Sequence, residues 1–253
     1  MDFVQAGARN WAAWHDSQLR AHGLECRRTG SLWSCRQRGG GIYLGALTLS
    51  AVTGDERERL AEIEELVAAR RSDDFTLVDS WMELDLVDLG FELGDAEPWY
   101  VRSPEPPATG SSPSEPEIEQ VADAAGLKGF EKASLEGFET TRPRELGTFG
   151  IHAVASLKDP RLRYFTGRVA GRVVSVSMSY VSDGVVGVYG VATPPEYRCR
   201  GYGEALTWAA IMADPGLPTV LQPSEMAASL YRKMGFAEVG KFRRWHYRGN
   251  SGS

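Results

Sequence analysis

The segment Arg198-Cys199-Arg200-Gly201-Tyr202-Gly203 fits the pattern Arg/Gln-x-x-Gly-x-Gly/Ala and lies between a β-rich run, Val185 to Ala192, and an apolar-periodic helix, Glu204 to Ala213. Glycines there let phosphate oxygens approach backbone N–H groups that the first turn of a helix leaves unpaired, beside the positive end of its dipole. Arg198 and Arg200 add charge-assisted donors. The chemistry implied is a diphosphate cradle. A second match, Arg36 to Gly41, precedes the strand-like run Ile42 to Leu49 and opens no helix, so it presents no helix end. On the loop alone, a glycine-bearing turn without a ligand is the alternative reading.

The elements that must position this loop are legible from periodicity and punctuation. Glu117 to Ala122 reads as a strand, and Leu127 to Phe138 carries Leu127, Phe130, Leu135 and Phe138 at helical spacing. Tyr164–Val169 and Val173–Tyr180 are joined by a hairpin signal at Ala170-Gly171-Arg172, and Asp183-Gly184 turns the chain into Val185 to Ala192. The helix Glu204 to Ala213 stops at Asp214-Pro215-Gly216; the strand Thr219 to Leu221 leads to Ser224, which suits the N-cap of a helix Glu225 to Met234 closed by Gly235. Phe236 to Tyr247 supplies the last strands. The order β-α-β-β-β-α-β-α-β predicts an α/β (α+β) fold with a mixed, mostly antiparallel central sheet flanked by helices.

The run Tyr189 to Gly203, followed by Leu221-Gln222-Pro223-Ser224 and Leu230-Tyr231-Arg232-Lys233-Met234-Gly235-Phe236, resembles the GNAT superfamily of acyl-CoA-dependent N-acyltransferases. The resemblance covers about residues 117–248. It implies acetyl-CoA, or another acyl-CoA, as donor. The strand carrying Val191 would splay from its neighbour and pair with the pantetheine arm. The Val191 amide would lie at the thioester carbonyl, and the 198–203 loop, reached through Thr193, would hold the diphosphate. Tyr231 would protonate the departing thiolate, with Ser224 beside it. The implied binding set is thus Val191, Thr193, Arg198, Cys199, Arg200, Gly201, Tyr202, Gly203, Ser224 and Tyr231. Cys199 departs from the small or basic residue frequent in the family, which a loop working through backbone amides tolerates. Many relatives carry a glutamate on the fourth strand, whereas Val185 to Gly190 has no carboxylate. That leaves Glu225, Glu196, His152, His246 or a water chain to take the amine's proton, or its removal before binding, with Tyr189 available to shape the acceptor pocket.

Five of thirteen prolines fall between Pro104 and Pro116, so the chain reads as an N-terminal lobe 1–103, a Pro-rich linker 104–116 and a catalytic lobe 117–248. Within the first lobe, the strand Phe75 to Val78, then Ser80, then a helix ended by Gly90-Phe91, parallels the Ser224 to Phe236 stretch, with the helix Glu56 to Ala69 upstream. This suggests a degenerate copy of the second lobe. Ser50 to Asp55 has one glycine and no arginine, so that copy lacks a diphosphate loop. Five of seven tryptophans precede the linker, and some are expected to line an acceptor cleft between the lobes. On this reading, residues 114–253 alone would bind acyl-CoA without turnover.

A net charge of −6 and no dense Lys/Arg run argue against nucleic acid and anionic membranes as partners. No apolar run is long enough to cross a bilayer, and the first twenty residues lack a signal peptide's apolar centre, so a cytoplasmic location is expected. Cys26, Cys35, Cys199 and four scattered histidines show no metal-ligand spacing. The expected partner is a small-molecule or peptide amine, with the protein a monomer or homodimer.

Overall fold

Strand-forming runs from both halves of the chain join edge to edge into one sheet in the computed structural model, which describes residues 1–51, 56–104, 116–139 and 150–249. From the N-terminal half come β1 (Cys26–Arg28), β2 (Leu32–Cys35), β3 (Ala46–Thr48), β4 (Phe75–Asp79) and β5 (Phe91–Arg102). The C-terminal half supplies β6 (Glu117–Gln120), β7 (Leu162–Val169), β8 (Arg172–Ser182), β9 (Val185–Ala192), β10 (Thr219–Leu221) and β11 (Ala237–Tyr247). Helices are α1 (Phe3–Ala21), α2 (Glu56–Ala69), α3 (Ala124–Gly137), α4 (Tyr202–Ile211) and α5 (Ala228–Lys233). Among the described residues only β3/β4 and β9/β10 pair in parallel, so the mixed, mostly antiparallel sheet and the C-terminal element order agree with the sequence reading.

The strand order is β1-β2-β3-β4-β11-β5-β10-β9-β8-β7-β6. It is nearly symmetric about its centre. On each side a parallel pair, β3/β4 or β9/β10, is followed by a long strand from the other half: β11 pairs antiparallel with β4, and β5 with β10. β5 and β11 also pair with each other, from Ala237 opposite Val101 to Tyr247 opposite Phe91. The topology of the first half thus repeats that of the second at its centre.

Adjacent residues on one strand feed different cores, as the pleat requires. Trp99 and Tyr164 join a cluster with α1 and α3, whereas Tyr100 and Phe165 join one with α4 and α5. A third cluster packs Ile63 and Leu66 of α2 against Leu77, Trp245 and Tyr247.

Several local expectations change. α1 was not foreseen: Asp2 caps it by accepting from the Gln5 amide, and alanines at 6, 8, 12 and 13 bring it close to the sheet. The run Ile42 to Leu49 contributes only three strand residues, because the chain first turns from Gly40 to Tyr43. No helix follows Ser80. The Asp79 carboxylate instead accepts from the Trp81 and Leu84 amides and Met82 sits at φ 58°, leaving a single 3-10 turn, Val87–Leu89, closed by left-handed Gly90. Among the described residues no helix is long and apolar enough to cross a membrane. Most of the linker reading, and most of Ser50 to Asp55, lies outside the described residues.

Candidate active site

β9 and β10 pair only through Thr219 opposite Val186 and Val220 opposite Gly187, and their ends then part. On the other side of β9 the register with β8 slips between Val176/Ala192 and Met178/Tyr189. The extra residue is accommodated by Gly190 at φ 58°, a left-handed conformation that suits glycine. The slip places half-buried Val191 at a cavity of about 500 Å³ that opens where the two strands separate.

Beyond β9, Thr193 bonds Oγ to Oγ with Ser175 at 2.8 Å, and the chain enters the glycine loop. Cys199 is exposed at φ 61°, and Gly201 at φ 80° is the N-cap of α4 without a side-chain cap, so no side chain satisfies the first-turn N–H groups there. A Cβ on Gly203 would meet Thr193 Oγ1 at 3.4 Å, an ordinary van der Waals contact. Tyr202 turns inward and is buried. Arg198 is already engaged: its guanidinium donates to the carbonyls of Thr193 (3.2 Å) and Gly137 (2.8 Å) and pairs with Glu139. It braces the loop against the end of α3. Arg200 is exposed and donates to the Glu196 carbonyl at 3.1 Å.

Across the cavity, Tyr231 on α5 is buried, and desolvation pushes its phenol up to about 12, partly offset by a hydrogen bond with Thr207. The hydroxyl therefore keeps its proton at neutral pH. α5 starts at Ala228 rather than Glu225, because residues 225–227 form a turn in which the Ser224 carbonyl accepts from the Ala227 and Ala228 amides. Ser224 lines the cavity but does not cap the helix through its side chain, and Met226 in the turn before it is 75% exposed. Gly235 closes the helix at φ 89°, as read from the sequence.

Of the groups considered for taking up a proton, Glu196 and Glu225 are exposed and off the cavity wall, and His246 bonds Thr76 elsewhere. His152 and Tyr189 do line the cavity. Burial holds His152 down to about 3, so it is neutral at physiological pH.

The wall also carries residues that sequence reasoning missed. From the N-terminal half come His15 on α1 and Glu97 on β5, from the C-terminal half Glu131 on α3 and Arg244 on β11. Arg244 forms a two-pronged ion pair with Glu97 and lies over the Trp11 ring at 5.7 Å. Glu131 is buried and accepts from the His152 amide (2.6 Å) and the Gly150 amide (3.0 Å). His15 is wholly buried and held near 3, chiefly by desolvation, with the Arg244 charge adding to the shift. The available signal was positional: Glu131 sits between Leu127 and Leu135, and His15 between Trp11 and Leu19, each at i±4 on a buried helix face.

A mixed sheet whose parallel strands part beside a bulge, with a glycine loop at one side and a cavity of apolar and charged side chains below, defines an α+β protein built around a strand gap. Residues 127–236 match the model of the acetyltransferase (GNAT) family, and the C-terminal half of the chain belongs to that family. No curated protein matches the chain. Among solved structures, a GCN5-related N-acetyltransferase from Kribbella flavida aligns over 94% of this chain and 96% of its own, with a TM-score of 0.65 and 19% identity. A conserved protein of unknown function from Staphylococcus epidermidis ATCC 12228 aligns over 89% and 94%, with a TM-score of 0.63 and 13% identity. At these identities the likeness is one of fold, and it takes in the N-terminal half as well.

Proposed function

We propose that this chain is an N-acyltransferase that moves an acetyl group from acetyl-CoA to a primary amine by direct attack, using two lobes, 1–103 and 117–248, joined by 104–116. The observation that carries the reading is the gap between β9 and β10, opening onto the cavity with bulged Val191 on one side and Tyr231 on the other. Bound acetyl-CoA supplies a thioester at which a C–N bond forms as the C–S bond breaks.

The residues present suit such a donor. Uncapped first-turn amides of α4 and the Gly201/Gly203 loop fit a diphosphate, with Arg200 the exposed cation beside it and Arg198 holding the loop in shape. The free edge of β9 past Val188 can take an extended pantetheine arm as an added strand. Val191 N–H is the donor for charge developing on the carbonyl oxygen. Tyr231, protonated at neutral pH, gives its proton to the leaving sulfur and regains one from the solvent. No carboxylate stands on β9, which leaves Glu131 as the buried carboxylate of the wall without an ion-pair partner among the described residues.

Thermal unfolding with acetyl-CoA, longer acyl-CoAs and free CoA tests the donor. At 100 times its dissociation constant a ligand adds about 2.7 kcal/mol, a midpoint rise of about 5–11 °C for a chain of this size. A rise that depends on acyl length, with thiol release on adding amines, is the expected result. Absence of any shift at millimolar CoA removes the proposal, and a shift without thiol release from any amine favours a CoA-binding module.

A further inference from the structure

The cavity wall carries more polar chemistry than acetyl transfer requires. Trp14 and His15, consecutive on α1 and in edge-to-face ring contact at 4.6 Å, both line it. His15 Nδ1 bonds the Trp11 carbonyl at 2.9 Å, which assigns the proton to Nδ1 and leaves Nε2 as an acceptor. That Nε2 is buried and has no partner, and the same holds for the Trp14 indole N–H, a donor. A buried donor and a buried acceptor left open on neighbouring side chains are costly unless something completes them. A hydroxyl has both functions these atoms lack, an O–H to donate to Nε2 and lone pairs to accept from the indole N–H.

The remaining wall narrows the rest of the ligand. Trp14 stacks on Tyr189 with ring centroids 5.0 Å apart, and Leu44, Ile151 and Met178 add apolar surface, so the body of the ligand is ring-like and apolar. Arg244 is the one cation on the described wall, and Glu97 occupies its fork. A carboxylate on the ligand would therefore find no free cation there. Glu131, buried with two backbone donors and no cation beside it among the described residues, supplies the countercharge for an ammonium.

We propose that the acceptor is a primary amine on an aromatic body that bears a hydroxyl and no carboxylate, with Glu131 holding the amine end and Trp14 with His15 reading the hydroxyl. This rests on the acetyl-transfer reading above. Its test is calorimetric titration of the full chain, saturated with free CoA, with tyramine, phenethylamine, tyrosine and putrescine. A separate CoA titration of the same sample reports on the donor reading alone.

Tyramine is expected to bind about tenfold tighter than phenethylamine, the worth of one well-made hydrogen-bonded hydroxyl. Tyrosine and putrescine should fall at least about tenfold below tyramine, one for its carboxylate and the other for its second charge and lack of a ring. Glu131→Gln should weaken tyramine and phenethylamine alike, while His15→Phe should erase the difference between them. Equal affinity for tyramine and phenethylamine, putrescine or tyrosine binding as tightly as tyramine, or no amine binding to the CoA-saturated protein would overturn the proposal. Those comparisons use the unaltered chain and stand even if a variant fails to fold.

Discussion

Tyr231 shows how one residue acquires a role from its surroundings. An exposed tyrosine hydroxyl and a buried one carry the same proton at pH 7, but desolvation to about 12 keeps the buried phenol neutral and able only to lend its proton locally. Tyr231→Phe is therefore expected to lower kcat by about a hundredfold with little change in KM for the donor, read by thiol release. An unchanged kcat would assign the ring to packing alone. This residue was legible because Leu230-Tyr231 and Gly235-Phe236 stand at local, fixed spacing. His15 and Glu131 were not, because a polar residue on an apolar helix face reads as noise until both sides of the cavity are known. The two buried histidines have a further consequence. His15 and His152 are held near 3 against 6.5 when exposed, so the unfolded chain binds more protons below pH 6.5. Stability is present in full above that value and falls as pH drops toward 3, by about 1.4 kcal/mol per pH unit for each histidine. Denaturant midpoints measured from pH 7 to pH 4 should fall steadily, and a flat profile would contradict the burial of both rings.

Among the helices, α1 does most to tie the halves together, and it does so through polar atoms as well as apolar ones. Asn10, wholly buried, donates from Nδ2 to the Tyr180 carbonyl at 3.0 Å and to groups of Ser182 and Val185, and accepts from Tyr189 at 2.6 Å. One side chain thus fastens a helix of the first half to the β8–β9 turn and to the cavity wall. Gly187 makes the approach possible: a Cβ there would stand 2.1 Å from Asn10 Oδ1. Asn10→Ala should cost about 3 kcal/mol by leaving several buried groups unpaired, measured by chemical unfolding. A loss below about 0.5 kcal/mol would mean that α1 is held by its apolar contacts. The same polar residues hid the helix in the sequence, since Asn10, His15 and Gln18 interrupt the apolar pattern on its buried side. Misreading of the stretch after Ser80 has the converse cause: Asp79 satisfies the Trp81 and Leu84 amides that a helix would otherwise leave open, and so competes with it.

For the molecule as a whole, the central sheet order is the feature least visible in the sequence. Periodicity and turn residues mark where strands begin and end, but pairing between Phe75–Asp79 and Arg243–Tyr247, or between Arg102 and Thr219, leaves no local trace. The consequence is that neither half carries a finished sheet. Strand β5 lies between β10 and β11, bonded to both, so a fragment of residues 114–253 would lose the partner on which both C-terminal strands depend. It would also lose α1, which packs on β8 and β9 and walls the cavity. Reading the sequence alone, such a fragment would bind acyl-CoA by itself; the interleaved strands predict instead that it exposes two long unpaired edges and aggregates or melts without a cooperative transition. Co-expression of residues 1–104 with 114–253 should restore a soluble complex, because β5 and β11 can re-form their pairing without a covalent link between the halves. A soluble 114–253 fragment that unfolds cooperatively and shifts its midpoint with CoA would show that the second half closes its own sheet, and the strand exchange would then be a contact between finished lobes rather than the condition for folding either one.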